Sequence, residues 1–297
     1  MRFSPLLVLA LLLHACGGSS SDPEALAASS SEGGEVEADR ELPLEAYVSP
    51  ELDYLFVDLE GLRRSPIVGR FVEELLAELS RNAGPNDAGF AEAVGRASKA
   101  LFMITADALV SPDAAPRGFL LLRGDYAGFS PESLGAADVT RRGDHTLVIR
   151  RGGELESVGT AHEERFDAAL SARIAVGPNL RAQLPGPAQG VAAGVEHVRV
   201  RVRVGSTIDI DVRLDHAEAK AARDSLDQLS SLLAQVQPLL LFTPPPILRL
   251  AQKLMLGQDG ASVVVRLELD ARDLEELAAL AKKADDDEAL AEADDSL

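Results

Sequence analysis

The stretch that decides the fold is VRVRVRVGSTIDIDVRLD, which runs from Val198 to Asp215. Apolar and charged residues alternate on both sides of Gly205, and a period of two is typical of strands with one buried and one solvated face. Facing residues of an antiparallel pair lie on the same side of the sheet, so Val202 must oppose Ile210. That register predicts a β-hairpin closed by the three-residue loop 205–207.

The same register places each arginine of the first strand opposite a charged residue of the second. The facing pairs are Arg203 with Asp209, Arg201 with Asp211, and Arg199 with Arg213. The first two pairs combine opposite charges and contribute about 0.2–1 kcal/mol each. The third is repulsive unless a carboxylate from elsewhere intervenes. An arginine ladder could bind an anion, but the two aspartate partners favour a structural sheet face.

Outward from the hairpin, a unit of apolar strand, aspartate and amphipathic helix recurs four times. The strands are Asp53–Val57, Gly118–Arg123, Thr207–Leu214 and Ser262–Leu269, and the aspartates after them are Asp58, Asp125, Asp215 and Asp270. An aspartate before a helix accepts hydrogen bonds from the free N–H groups of the first turn. We therefore predict helix caps rather than an active site. Asp215 with Glu218, and Asp270 with Asp273, have the spacing of a capping box.

These units predict an α+β fold of two similar lobes, each an antiparallel sheet with helices packed on one face. The Pro/Gly-rich segment 185–194 is the clearest internal break, so we expect the lobes at residues 42–184 and 195–283. Residues 16–41 are rich in Ser, Gly, Ala and Glu without an apolar period, which predicts a disordered tether. Residues 284–297 are expected to form an acidic tail.

Composition excludes several classes of function. The 297-residue chain has a formal net charge of −19, an aromatic content of 4% and no Trp. So acidic a surface repels the phosphates of nucleic acids, and we expect no nucleic-acid partner. Aromatic faces for stacking on sugars or bases are scarce. A single cysteine excludes an internal disulfide and a cysteine-based zinc site.

That only cysteine, Cys16, follows a segment with the layout of an export signal. Arg2 and the free amine supply positive charge, and Pro5–Leu13 is almost wholly apolar but too short to span a bilayer. Residues 13–16, LHAC, resemble the lipobox of bacterial lipoproteins, in which signal peptidase II cuts before a diacylglyceryl-modified cysteine. His14 stands where that family usually has a smaller residue.

The lipoprotein resemblance implies that residues 1–15 are a signal peptide and that Cys16 is the lipidated first residue of the mature chain. Several acyl chains on one residue anchor a protein stably, whereas one does not. Gly17 replaces the Asp that retains many such lipoproteins in the inner membrane. The resemblance therefore implies a cell-envelope protein that is anchored to the membrane by lipid, in the outer membrane, and faces the periplasm.

The sequence carries no catalytic or metal-binding signature. His162 and Glu163 begin like the zinc motif H-E-x-x-H, but position 166 is Phe. No serine stands in a G-x-S-x-G elbow, and no glycine-rich segment fits a phosphate-binding loop. We therefore predict no enzyme, no cofactor and no metal. A hydrolase built from dispersed acidic residues is the remaining enzymatic alternative.

The most unusual segment is Leu232–Leu256, which is strongly apolar and is broken by Pro238 and by prolines 244–246. One interpretation is a core that packs the two lobes together. The other is an apolar lip that receives a protein, peptide or lipid partner. The candidate contact residues of this lip are Leu240, Phe242, Ile247, Arg249 and Lys253. The two cations lie one helical turn apart and are placed to meet an acidic group.

Together these features predict a membrane-anchored envelope lipoprotein that acts as a non-catalytic binding or scaffold module. The alternative is a carrier or chaperone of hydrophobic cargo, lipid or peptide, that uses the apolar lip. An open apolar cavity at the lip would favour the carrier, and a filled core would favour the scaffold. The identity of the partner and the oligomeric state stay open.

Overall fold

The computed structural model describes residues 42–49, 52–82, 88–105, 118–134, 138–151, 166–240 and 243–280. The strands are β1 (Asp53–Asp58), β2 (Ala97–Ile104), β3 (Gly118–Gly124), β4 (Asp138–Arg142), β5 (Thr146–Arg151), β6 (Leu170–Ala175), β7 (Val195–Val204), β8 (Ile208–His216), β9 (Met255–Asp259) and β10 (Ser262–Leu269). The helices are α1 (Leu59–Arg64), α2 (Gly69–Asn82), α3 (Ala88–Arg96), α4 (Pro178–Gln183), α5 (Gly186–Val191), α6 (Ala219–Leu240), α7 (Pro245–Lys253) and α8 (residues 271–280), with short 3-10 helices at Leu44–Tyr47 and Pro131–Leu134.

The predicted α+β class is confirmed, and the strands join into one antiparallel sheet. Their order is β4-β5-β3-β2-β1-β6-β7-β8-β10-β9. The central hairpin β7–β8 has the predicted register, with Val202 opposite Ile210. The N–H of Gly205 donates to the carbonyl of Thr207 at 2.8 Å and closes the three-residue loop. Strict alternation was therefore sufficient to fix the pairing.

The two halves of the sheet share one topology. Outward from the centre, the first half runs β1-β2-β3-β5-β4 and the second runs β6-β7-β8-β10-β9. In each half one helical connection follows the first strand and another precedes the outermost hairpin. These two connections pack together, α3 against Pro131–Leu134 in the first half and α5 against α6 in the second. The similar lobes are thus halves of a single sheet.

A pseudo-two-fold axis relates the halves. β2 and β7 begin with the same register shift against the following strand, at Ala97 in one half and at Val195 in the other. Leu55 of β1 pairs with the residue five positions after Ala97, and Ala172 of β6 pairs with the residue five positions after Val195. Leu55 and Ala172 are therefore equivalent. Those two residues also pair with each other. The axis therefore passes between them, where β1 joins β6.

The predicted break at residues 185–194 does not divide the halves. The division falls between β5 and β6, and residues 185–194 lie inside the second half, where they contain α5. Proline in the first turn of a helix costs no hydrogen bond, because the first N–H groups have no partner within the helix. A Pro/Gly-rich segment can therefore begin a helix as readily as it can separate domains.

The helix-bearing face of the sheet is apolar in both halves, but the opposite face differs. In the first half that face is buried by residues 42–49 and by Phe166, whose ring stacks on Phe56 with centroids 4.1 Å apart. Leu101 and Leu121 of this face are fully buried. Their equivalents in the second half are Arg199 and Arg213. The second half therefore presents a charged face where the first has a core.

Two of the four predicted caps are confirmed. The N–H of Gly61 donates to the side chain of Asp58 at 2.9 Å and caps α1. Asp270 and Asp273 each accept from the other's N–H, at 3.0 and 2.9 Å, and form the predicted capping box of α8. Asp125 and Asp215 do not cap helices, because a loop N–H donates to the first carboxylate and side chains of neighbouring strands donate to the second.

Asp125 closes a turn, and the cap predicted for Asp215 is wrong. The N–H of Ala127 donates to the Asp125 carboxylate at 3.1 Å, several residues before the helical turn at Pro131–Leu134. Asp215 stays within β8, where Arg199 and the hydroxyl of Ser262 donate to its carboxylate. α6 begins only at Ala219. Strand pairing thus extends β8 past the residue that the local pattern assigned to a helix start.

Candidate functional site

The predicted apolar lip lies where α6 meets α7, and we call residues 228–248 the α6–α7 elbow. Leu233 is 36% exposed, Val236 is 43% exposed and Ile247 is 39% exposed. The interpretation of these three side chains as a core between the lobes is wrong, because β1 and β6 join the halves instead. The side chain of Leu240, and all of Phe242, lie outside the described residues.

The elbow is uncharged. From Gln228 to Leu248 the chain carries no Asp, Glu, Lys or Arg, although these residues make up 26% of the whole sequence. Asp227 and Arg249 border the uncharged segment on its two sides. Three exposed apolar side chains therefore lie within one segment of the chain that carries no charged residue.

The two cations predicted at the lip are held by acids of the chain itself. Arg249 pairs with Glu276 of α8. The ammonium of Lys253 donates to Asp270 at 3.0 Å and also to Asp273. Hydrogen bonds to Asp273 and Asp270 raise the pKa of Lys253. These ion pairs join α7 to α8, so carboxylates of the chain itself engage both cations.

A second candidate is an open hollow of about 490 Å³ at the ends of β2 and β3, lined by three arginines. Each guanidinium donates to a main-chain carbonyl. Arg63 donates to Ala97 at 2.7 Å, Arg96 to Ala127 at 3.3 Å, and Arg123 to Leu42 at 2.6 Å. The arginines therefore tie the first half together.

Carboxylates balance the charge of this hollow. Glu60 and Asp125 line it, and Arg96 pairs with Glu92 at 2.7 Å. The second half offers an internal comparison, since Arg181 donates to the carbonyl of Val195 at 3.2 Å, the position equivalent to Ala97. The contact made by Arg63 thus belongs to the fold, and the hollow does not have the chemistry of an anion site.

A buried histidine–serine pair was missed by the sequence analysis. Nε2 of His216 lies 2.8 Å from Oγ of Ser225, the geometry of a general base beside a hydroxyl nucleophile. Both residues are buried, and the Ser225 hydroxyl donates to the carbonyl of Val191 at 3.0 Å. The pair joins the end of β8 to α6. Sequence periodicity did not reveal it, because the two residues are nine positions apart and belong to different elements.

The internal repeat accounts for the bond from Ser225 to the carbonyl of Val191. In the first half the hydroxyl of Tyr126 donates to the carbonyl of Ala93 at 2.9 Å. Ala93 and Val191 each lie four residues before the strand that follows, so they are equivalent. A hydroxyl from the second connection therefore satisfies a carbonyl of the first connection in both halves. The contact is a structural element of the fold.

Comparisons with known proteins give no relative of this chain: no family model matches, and neither the curated proteins nor the solved structures contain a match. Within the described ranges, no three His, Cys, Asp or Glu side chains are grouped to hold a metal ion. No helix in the same ranges is long and apolar enough to cross a bilayer. Cys16 lies outside them, so its lipidation stays a prediction.

Proposed function

We propose that this chain is a lipid-anchored, non-catalytic binding module of the bacterial cell envelope, and that a partner protein docks on the α6–α7 elbow. The observation that carries the proposal is the exposure of Leu233, Val236 and Ile247 in a segment that has no charged residue. Burial of apolar surface contributes about 25 cal/mol per Å². A partner that covers these side chains gains that free energy without desolvating a charge.

The partial burial of the elbow side chains is compatible with a protein surface as the partner. Each of the three exposed side chains keeps more than half of its surface against the chain's own residues. Apolar side chains of this kind are typical of the surfaces that proteins present to one another. An acyl chain needs a concave pocket that encloses most of its surface. The scaffold function is therefore supported over the carrier function.

The charge of the chain supports anchorage through Cys16. The net charge of −19 over the whole chain repels anionic headgroups, so we expect no electrostatic attachment of the protein to a bilayer. Attachment at a membrane then needs a covalent lipid, which the lipobox-like segment 13–16 would supply. Replacement of Cys16 by Ser should abolish cleavage by signal peptidase II and release the protein from the membrane fraction. Unchanged membrane fractionation of the variant would contradict the anchor.

Site-specific photocrosslinking in the native host tests the docking surface. A photoreactive residue at position 236 should give a discrete crosslinked protein, and the substitution Ile247→Asp should abolish that product by placing a charge in the contact. A photoreactive residue at position 203, on the opposite face of the sheet, is the matched control and should give no such product. Crosslinks from 236 to lipid alone, or equal products from 236 and 203, would refute the proposal.

A further inference from the structure

Two rows of apolar side chains cross the middle of the helix-bearing face of the sheet, and we call them the apolar strip. The strand register places the first row across β2, β1, β6, β7, β8 and β10, with Phe102, Leu55, Ala172, Val200, Val212 and Val265. The second row runs beside it from Ala100 to Leu267 and passes through Leu170 and Val202. Neither row contains a polar or charged side chain.

The apolar strip is partly open to solvent. Every side chain of its two rows except Ala172 is half-buried, so part of the surface of each is exposed. On the other face of the same strands in the first half, Phe56 and Leu101 are fully buried. An apolar sheet face is stable when another layer covers it. The strip is therefore a surface on which a further apolar group can still be buried.

Helices stand on both sides of the centre of the strip. On one side, Ala93 of α3 packs in a buried cluster with Leu122 of β3 and Leu147 of β5. On the other side, α6 packs against β8 and β10. The sheet order places β1, β6 and β7 between these two supports. The strip is therefore the floor of a trough, and a ligand in it is enclosed from below and on two sides.

The chemistry and the length of the strip fit an acyl chain. Its floor offers no hydrogen-bonding side chain, and a peptide backbone laid along it would lose hydrogen bonds to water without replacing them. Six strands spaced about 4.8 Å apart make the strip about 24 Å long. One acyl chain spans half of a hydrocarbon core that is about 30 Å thick, or about 15 Å, and therefore fits along the strip.

Cys16 of the same molecule carries the acyl chains of the proposed anchor, and it lies within reach of the strip. Arg123 of β3 donates to the carbonyl of Leu42 at 2.6 Å and fixes the start of the described chain. Leu42 is 26 positions after Cys16, and a flexible segment of that length spans about 25–30 Å. A ligand on such a tether has a high effective concentration, which favours it over a lipid that arrives from solution.

We propose that the apolar strip shelters one acyl chain of the lipidated Cys16 of the same molecule while the anchor is outside a bilayer. This inference rests on the proposed function and adds a second state of its anchor. The acyl chain belongs to the protein and is not cargo, so the scaffold function is unchanged. The strip holds one acyl chain, whereas a bilayer takes up every chain on the residue. Contact with a membrane therefore withdraws the lipid from the strip.

Tryptophan fluorescence tests this inference, because the chain contains no Trp of its own. The lipidated full-length variant Val202→Trp places the probe on the strip, and the same variant with Cys16→Ser, expressed without residues 1–15, is the unlipidated reference. In detergent-free buffer, acrylamide should quench the probe about tenfold less in the lipidated protein, equivalent to about 1.4 kcal/mol in favour of the sheltered state. Phosphatidylcholine vesicles should restore the quenching of the reference.

Two further variants control the measurement. Arg203→Trp places the probe one residue further along β7, on the opposite face of the sheet, and should be quenched equally with and without the lipid. Leu170→Trp places it on the strip in the neighbouring strand β6 and should repeat the result of Val202→Trp. Urea unfolding of each variant shows that it is folded, so a failure of one strip variant to fold leaves the other to decide.

Four results would overturn the shelter. Equal quenching with and without lipid, when mass spectrometry shows the lipid on Cys16, would refute the shelter and leave the anchor in place. A mature chain without lipid would refute the anchor as well. Protection that rises with protein concentration would place the acyl chain in another molecule. Equal protection of the reference by a copurified phospholipid would identify a different lipid as the occupant.

Discussion

Three arginines lie side by side on neighbouring strands of the charged face. Arg199 of β7 stands between Arg173 of β6 and Arg213 of β8. The repulsion predicted for Arg199 and Arg213 is relieved by Asp215, which accepts two hydrogen bonds from Arg199 at 2.5 and 2.7 Å. Arg213 pairs separately with Asp211 and Asp259, at 3.3 and 3.1 Å. Asp215 therefore neutralises the middle arginine of the three and reduces the repulsion between them.

The pKa of Asp215 reflects this environment. Burial raises it, but hydrogen bonds from Arg199 and Ser262 outweigh burial and hold the pKa below its usual value. A carboxylate with a lowered pKa in the folded state stabilises the protein above its unfolded pKa, near 4. That contribution is lost as pH falls through the folded pKa.

We predict that Asp215→Asn lowers the free energy of unfolding at pH 7 by about 1–3 kcal/mol, the value of a hydrogen-bonded charge. The variant should also lose less stability than the native protein between pH 5 and pH 2, because it lacks this titrating group. Urea unfolding at each pH measures both effects. Asp209→Asn, on the same strand but exposed, is the control and should change stability by less than about 0.5 kcal/mol. Equal losses in the two variants would contradict the role of Asp215.

At the scale of elements, a hydroxyl-to-carbonyl bond holds the two helical connections of each half together. Tyr126 supplies it to Ala93 in the first half, and Ser225 supplies it to Val191 in the second. Burial raises the pKa of the Tyr126 hydroxyl far above its usual value, so the group stays a neutral donor. The contact should therefore act equally from acid to alkaline pH.

We predict that Tyr126→Phe destabilises the fold by about 1–2 kcal/mol, because the carbonyl of Ala93 stays buried without its donor. The loss should be the same at pH 5 and at pH 9. Denaturant unfolding at the two pH values measures it. Tyr47→Phe is the matched control, since the one contact of the Tyr47 hydroxyl within the described ranges is a long one, 3.5 Å from Arg142. An equally large loss of stability in Tyr47→Phe would contradict a specific role for the Tyr126 hydroxyl.

Local patterns predicted the elements whose partners are local and failed where the partner is distant. The alternation in β7–β8 fixed the hairpin register, and the spacing of Asp270 and Asp273 identified a true capping box. Asp215 followed the same rule but binds Arg199 and Ser262, which reach it from neighbouring strands. His216 and Ser225 meet only because β8 and α6 pack together. Sequence spacing contains no signal of either contact.

At the scale of the molecule, the halves keep one topology but have diverged in the surfaces they present. The first half covers the face opposite its helices with residues 42–49 and Phe166, whereas the second exposes a charged face and an uncharged elbow. The surface on which we propose that a partner docks thus lies in the second half. The strand–aspartate–helix units did not predict the repeat correctly, because only two of their four strands, β3 and β8, are equivalent under the axis. The boundary between the halves was not predicted either, because β6 is short and carries no alternation strong enough to outweigh the prolines at 185–194.

The most direct test of the central claim is the rate at which a thiol at the elbow reacts in the cell. The proposed lipidation of Cys16 would consume its thiol, and Val236→Cys would then supply the only reactive thiol of the chain. We predict that a maleimide labels Val236→Cys at least about tenfold more slowly in intact envelopes than in the purified protein, as 1.4 kcal/mol of protection requires. Arg203→Cys, on the opposite face of the sheet, should label at the same rate in both. Equal labelling of Val236→Cys in envelopes and in purified protein would contradict the claim that a partner covers the elbow.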